Sequence, residues 1–381
     1  MSVVGRGTRW RWAAVGIGVA AAIALPSVVP SAAMVLDRAS QPAERPAPAA
    51  LVELALASSD VAHQGLAQTR GSLGLPDLPR LSDVPALFGS TTKTRVWWAS
   101  SSAWRVDTLS LNGEVDTYGF NGDTARWDYE NRELTFVVGQ DGARLPRADD
   151  LLPPQAVRRI LAGLGPAERL EPLEDRWVAG RAAAGLRVVP GDERTTVARL
   201  DIWIDVGSGL PVELHVVGRD GFEALESRFL QLDLTQPDED LLLAPFPRDA
   251  RVDRTTTPDL AAAVDLYAPW RLPGSLAGLS ASRSLLGGTA TYGEGLVRFA
   301  LLPLAPDLSD DILDRAVTAG ALPLDPAGGE AVLVTSSVLN AVVARGSDRE
   351  HAYLLAGFVT PETLEAAATE LLADPPPRRR P

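Results

Sequence analysis

The chain contains no cysteine, a single lysine (Lys93), three histidines and two methionines in 381 residues. Without cysteine there are no disulfides, thiolate metal centres or cysteine nucleophiles, and the redox compartment stays open. His63, His215 and His351 lie far apart, so no paired-histidine zinc motif exists. Glycine loops of the Walker or dinucleotide type are missing, and so is a Gly-x-Ser-x-Gly nucleophile elbow. Positive charge is also short. A net charge of −13 argues against nucleic acid, because neutralising phosphates takes clustered Lys and Arg. The near-exclusive use of Arg, with much Ala, Gly, Pro and Val, reads as a GC-rich coding bias and not as a binding device.

What is present begins with a targeting signal. Arg6, Arg9 and Arg11 precede an uncharged, largely apolar run from Trp12 to Leu36, with small residues at Ser31-Ala32-Ala33. A basic flank, an apolar core and small residues fit a secretory signal over 1–36. The run also has the length of a membrane anchor, although Pro26 and Pro30 interrupt it. Either way the basic end stays inside, so the remainder is expected at the outer face of the cytoplasmic membrane, secreted or N-terminally anchored. A Pro- and Ala-rich spacer occupies 37–48.

Alternation dominates the next two hundred residues. Val197–Asp205 and Pro211–Val217 flank a Gly207-Ser208-Gly209 turn, a hairpin signal. Leu200, Ile202 and Ile204 share one face with Val212, Leu214 and Val216, while Asp201, Trp203, Asp205, Glu213 and His215 take the other. Upstream, Thr94–Ser100, Trp104–Leu111, Val115–Phe120, Thr124–Glu130 and Glu133–Val138 form a meander broken by Asn112-Gly113, Asn121-Gly122 and Glu130-Asn131. One face of it is expected to collect Val96, Trp98, Trp104, Val106, Trp127, Tyr129, Leu134 and Phe136. Such a face needs a cover. The helix predicted from Pro153 to Leu164 supplies one, through Val157, Ile160, Leu161 and Leu164. The fold class expected is α+β: a curved antiparallel β half-barrel closed by helices over 49–252, a linker at 253–270, a smaller C-terminal α+β domain over 271–374, and a basic tail at 375–381.

The search for chemistry is mostly negative. Ser208 reads as a turn residue and not a nucleophile. Asp307, Asp310, Asp311 and Asp314 lack calcium-loop spacing and read as a helix start capped by Ser309. Asp201, Asp205, Glu213 and His215 read as a solvated outer face. Catalysis there would require His215 and two carboxylates to converge in a cleft. No catalytic residue, metal site or cofactor is expected. The aromatic wall could be a filled core or could hold an apolar ligand.

Several motifs then fall in a familiar order: Thr94-Arg95-Val96-Trp97-Trp98, Trp104-Arg105-Val106-Asp107, Asn121-Gly122-Asp123, Trp127-Asp128-Tyr129, Asp201-Ile202-Trp203-Ile204-Asp205 and Gly209-Leu210-Pro211-Val212-Glu213. Their order resembles the LolA/LolB lipoprotein-carrier superfamily. Tyr292-Gly293-Glu294-Gly295-Leu296 and Gly357-Phe358-Val359-Thr360-Pro361-Glu362 resemble its RseB/MucB-type sigma-E regulators, with His63-Gln64-Gly65 where those carry tyrosine-x-glycine. The absence of a lipobox cysteine sets the chain apart from LolB-type lipoproteins. The resemblance implies an exported, non-enzymatic regulator binding a lipid acyl chain, lipoprotein or apolar peptide and acting on a membrane partner such as an anti-sigma factor. The alternatives are a LolA-type envelope carrier and a structural envelope protein with a filled core. The groove expected on this basis is lined by Val96, Trp98, Trp104, Val106, Trp127, Tyr129, Leu134, Phe136, Leu200, Ile202, Ile204, Leu214 and Val216, with Val157, Ile160, Leu161 and Leu164 as its lid.

Overall fold

In the computed structural model the described residues are 45–72, 88–110, 113–139, 147–245, 247–256, 268–282, 289–318 and 320–378. The targeting segment, most of the spacer, the Gly74–Pro79 loop, much of the expected linker and the end of the tail lie outside them. No helix among the described residues is long and apolar enough to cross a membrane.

The first helix, α1 (Pro48–Ala57), begins with proline in its first turn and buries Leu51 and Ala55, one turn apart. A 3-10 turn at Ser58–Asp60 leads into β1 (His63–Gly71). Then come β2 (Thr91–Ser100), β3 (Ala103–Ser110), β4 (Gly113–Phe120), β5 (Asp123–Asp128) and β6 (Glu133–Val138). The second helix, α2 (Pro153–Ala162), starts on two prolines, ends at Gly163 and buries Val157 and Leu161. It precedes β7 (Arg169–Val178), β8 (Arg181–Val189), β9 (Val197–Asp205), β10 (Pro211–Gly218), β11 (Glu223–Asp233) and β12 (Arg251–Thr256). These twelve strands form one sheet in the order β12-β6-β5-β4-β3-β2-β1-β11-β10-β9-β8-β7. All neighbours are antiparallel except β12, which runs parallel to β6. The expected linker therefore opens inside a strand, since Asp253 pairs with Thr135.

Reaching β12 from β11 requires the chain to cross the sheet. Residues 234–250 do so over its outer face, where Ala244 and Ala250 pack on Tyr118, Ala125, Trp127 and Leu134. The inner face carries α1 and α2, which sit side by side over β8 to β11.

A second sheet takes the order β13-β14-β15-β16-β20-β19-β18-β17. Its strands are β13 (Ser275–Leu276), β14 (Leu279–Ser282), β15 (Ala290–Glu294), β16 (Val297–Pro303), β17 (Leu322–Leu324), β18 (Gly329–Val334), β19 (Asn340–Gly346) and β20 (Ala352–Gly357). Every residue of β20 is buried, because helices cover both faces. The helix α4 (Pro361–Ala373) lays Leu364, Ala367, Ala368 and Leu371 on Tyr292, Phe299, Val342 and Leu355. The opposite face meets Leu313 of α3 (Pro306–Thr318) through Leu302, Val343 and Leu354. This helix starts three residues before Ser309, which is buried inside it and does not cap it. Asp310 instead pairs with Arg345.

The two sheets are pinned together by directional bonds. Thr195 Oγ1 and the Thr196 amide donate to the Phe358 carbonyl at 2.7 and 3.0 Å. The Thr360 amide returns a bond to Arg194 at 2.8 Å. Glu168 accepts from the Leu296 amide at 2.7 Å, and Leu296 and Val338 enter the core beneath α2.

Candidate functional site

The hairpin of β9 and β10 builds one wall of the candidate site. Leu214 lies opposite Ile202 and Val216 opposite Leu200, so these side chains share the inner face. A register shift between Pro211 and Glu213 takes Val212 out of that alternation. The turn between the strands is fixed by Asp205, whose Oδ2 accepts from the Ser208 amide at 2.9 Å and from its hydroxyl at 2.5 Å. Ser208 is thus a turn residue. Gly209 has φ +75, and a Cβ there would meet the Leu54 carbonyl of α1 at 2.6 Å, so glycine lets the helix approach. Val157 and Leu161 of α2 join Leu51 and Ala55 of α1 on Leu200, Ile202, Ile204, Leu214 and Val216. Ile160 and Leu164 pack at the rim of the same cluster.

A second wall is aromatic. His63 of β1 lies opposite Trp98, Trp98 opposite Trp104, and Val96 opposite Val106. The rings stack in series: His63 to Trp98 at 6.0 Å and Trp98 to Trp104 at 5.6 Å, with interplanar angles of 18° and 12°. Trp98 Nε1 donates to the Ser59 carbonyl at 3.0 Å, tying the stack to the end of α1. Leu152, just before α2, joins this cluster, and Arg147 sits 5.8 Å from the Trp104 ring centre. His63 is fully buried. Burial pushes its pKa down to about 4, so the ring is neutral at physiological pH.

The register separates the expected groove into two sets. Trp104 pairs with Gly119, Gly119 with Thr124 and Thr124 with Val137, which continues the inner face. Trp127 instead pairs with Asp116 and Leu134, and Phe136 with Ala125, so all three point outward. Tyr129, half exposed, meets Trp127 edge-on at 5.6 Å on that outer side. The single face expected for these eight residues is therefore corrected. Val96, Trp98, Trp104 and Val106 line the inner face, while Trp127, Leu134 and Phe136 lie on the outer face beneath the 234–250 crossing, with Tyr129 beside them. Both faces at this end of the sheet are buried, so hydrophobicity alone does not tell them apart.

The outer face of the hairpin carries the expected polar residues, but they are not solvated. Asp201, Asp205 and Glu213 are 7%, 3% and 2% exposed. Arg187 grips Asp201 at 2.6 and 2.8 Å, Arg181 holds Asp205 at 2.9 and 3.1 Å, and Arg176 reaches Glu213 at 3.1 Å while lying over the Trp203 ring. Burial works against the Asp201 charge, yet Arg187 and Arg199 outweigh it and lower its pKa. Arginine stems shield the carboxylates from water and their heads neutralise them.

His215 and two carboxylates do converge here. Its Nδ1 lies 2.5 Å from Glu223 Oε2 and its Nε2 2.7 Å from Glu213 Oε1. Burial disfavours the charged ring, but the two glutamates prevail and raise its pKa. In its protonated form the ring donates to a carboxylate from each nitrogen. Glu213, His215 and Glu226 have potential ligand atoms within 4.8 Å of one another, and Asp107, Glu114 and Asp116 form a similar group. Arginine supplies positive charge in both: Arg70 and Arg228 on Glu226, Arg105 on Asp107 and Asp116. Burial and the facing Asp116 carboxylate, opposed by Arg105, push Asp107 up to about 7.

Two open clefts lie elsewhere on the surface. One, of about 400 Å³, lies between Gln64, Leu66, Arg95, Trp97 and Gln231. The other, of about 560 Å³, is lined by Arg45, Asp175, Trp177, Arg181 and Asp205. Neither includes a residue of the expected groove or the His215 group. Sequence reasoning missed the 234–250 crossing and the arginine lattice. Arg176 on β7 and Arg181 and Arg187 on β8 were the available signal for the lattice.

No family model and no curated protein sequence matches the chain. Among solved structures it is similar to MucB in the Pseudomonas aeruginosa MucA/MucB complex, at 20% identity over 84% of this chain and 96% of that one, with a TM-score of 0.48. A structure of MucB with the periplasmic part of MucA gives 20% identity over 84% and 97% of the two chains, with a TM-score of 0.45. A LolA superfamily protein from Nitrosomonas europaea gives 10% identity over 53% and 99%, with a TM-score of 0.23. The chain itself consists of a large, almost wholly antiparallel sheet with few helices, followed by a second, smaller sheet.

Proposed function

We propose that this chain is an exported, non-enzymatic regulator of the RseB type, which binds an acyl chain or apolar peptide and acts on a membrane-anchored partner such as an anti-sigma factor. The observation that carries this reading is how the inner wall is covered. Leu200, Ile202, Ile204 and Leu214 are shielded chiefly by two ten-residue helices, with Leu296 and Val338 of the second unit at the edge of the same core. A cover of two short helices can lift without breaking any strand pairing: its contacts to Leu200, Ile202, Ile204 and Leu214 are apolar, and hydrogen bonds from the sheet reach it at its ends, from Trp98 to the Ser59 carbonyl and from Ser227 to the Leu151 carbonyl. Lifting it exposes one face running from Leu186 through Ile202 and Leu214 to Trp98 and Trp104, broad enough for an extended chain. Burial of that chain would supply about 25 cal/mol per Å² before ordering costs. The sequence motifs support the same reading, and the second sheet, bonded through Phe358 and Leu296, gives a rigid platform for a partner.

The test is a pull-down of the full-length chain with the exported segment of a membrane anti-sigma factor, with and without a fatty acid. Fatty-acid-dependent capture is expected. Capture that never responds to an apolar ligand would remove the sensor reading. Lipid binding without partner capture would favour the envelope-carrier alternative.

A further inference from the structure

Polar side chains at the rim of the inner wall lack the partners their burial calls for. Arg158, on α2, presents only Nη1 to a neighbour, and that at 3.5 Å from the Ser58 carbonyl and 3.4 Å from its hydroxyl, the outer limit for a hydrogen bond. No carboxylate among the described residues lies within ion-pair distance of it, whereas the adjacent Arg159 pairs with Asp150. Asp60 is within electrostatic range, but its carboxylate is held by the Ser101 amide and hydroxyl at 2.9 and 2.8 Å. Partial burial and the neighbouring Arg159 charge, only partly offset by Asp60, lower the Arg158 pKa to about 10. One turn earlier on α2, Gln155 is 8% exposed, and neither its Nε2 nor its Oε1 has a partner. His63 is within electrostatic range of Arg158 and completely buried. Its Nδ1 donates to the Val61 carbonyl at 2.8 Å, which leaves Nε2 as an unpartnered acceptor.

A half-buried guanidinium with no ion pair and a buried, unsatisfied amide are costly, and native proteins rarely keep them without a reason. All three side chains belong to the lid or to the strand at the head of the aromatic stack. We propose that Arg158 and Gln155 form the head-group end of the groove, a subsite for the anionic carboxylate or phosphate of a single-chain acyl ligand whose tail lies along the wall. The guanidinium and the Gln155 amide donate to the anion, and His63 Nε2 accepts from a hydroxyl on the same head. This rests on the acyl-groove reading proposed above.

The experiment is displacement of an apolar dye from the purified full-length chain by laurate, dodecyl phosphate and dodecanol, with acetate and inorganic phosphate as tail-less anions. Laurate and dodecyl phosphate are expected to bind at least tenfold more tightly than dodecanol, and the tail-less anions not to displace the dye. Arg158→Met and Gln155→Leu should each weaken laurate toward the dodecanol level while leaving dodecanol binding unchanged. Arg158→Lys should keep most of the preference. Thermal melting confirms that each variant is folded, and the methionine variant should melt no lower than the parent. Equal binding of laurate and dodecanol by the parent, or a folded methionine variant that retains the preference, overturns the subsite while leaving the groove intact. Displacement by phosphate alone overturns it in favour of a free-anion site. If no alkyl ligand binds, the groove reading fails first and the subsite with it.

Discussion

Replacing Gly119 by alanine tests the aromatic wall through one methyl group. Gly119 lies opposite Trp104 on β4, and its missing side chain is what lets the indole lie flat across the strand. A Cβ at this position would sit 2.5 Å from Trp104 Cζ2 and closer still to Nε1 and Cε2, whereas ordinary contact begins at 3.4 Å. The indole must therefore retreat by more than about 1 Å. It has little room, because its other face stacks on Trp98 at 5.6 Å and Trp98 stacks on His63. Overpacking a filled core costs about 1–3 kcal/mol, and disturbing one aromatic pair about 0.5–1.5 kcal/mol more. For a sheet unit of this size each kcal/mol lowers Tm by about 2–4 °C. A drop of roughly 3–18 °C is expected, with loss of near-ultraviolet circular dichroism from the paired indoles. Combining Gly119→Ala with Trp104→Leu should cost less than the sum of the two single changes. A Gly119→Ala variant with unchanged Tm and unchanged near-ultraviolet signal would refute the stacked wall.

His215, raised by Glu213 and Glu223, contributes stability that is fully present below its unfolded pKa of about 6.5 and is lost as pH rises through its higher folded value. His215→Gln should flatten that loss in unfolding free energies measured from pH 6 to 9. His63 has the opposite sign: with a folded pKa of about 4, the neutral ring is favoured, and stability is lost as pH falls from about 6.5 toward 4. Its shift corresponds to roughly 3 kcal/mol, so His63→Phe should keep more of its Tm at pH 4.5 than the parent does. Ile202→Ala should cost about 2–5 kcal/mol in chemical denaturation, whereas Trp177→Ala, at a 75% exposed position, should stay within about 0.5 kcal/mol.

The β9–β10 hairpin was legible because only one of its faces is greasy. Leu200, Ile202 and Ile204 alternate with Asp201, Trp203 and Asp205, and a period of two admits a single register beneath α1 and α2. The helix α2 was legible from its two prolines and its apolar residues one turn apart. The meander hid its faces because the crossing at 234–250 buries the outer side as fully as the helices bury the inner one. Trp127 and Trp104 then look alike in sequence, and only the turns at Gly113 and Asn121-Gly122 decide that they point in opposite directions. The crossing itself, and its parallel strand β12, depend on contacts more than a hundred residues apart. The acidic face was misjudged for a different reason: alternation marks a side chain as polar, but its solvation depends on the arginines of β7 and β8, which arrive from neighbouring strands.

The central claim is that the wall beneath α1 and α2 receives an acyl ligand. Mass spectrometry of lipids extracted from the purified full-length chain tests it most directly. The account predicts about one acyl-bearing molecule per chain, removable by an apolar dye that takes its place. A chain that co-purifies with no lipid and binds no apolar dye would contradict it and leave the wall as a filled core.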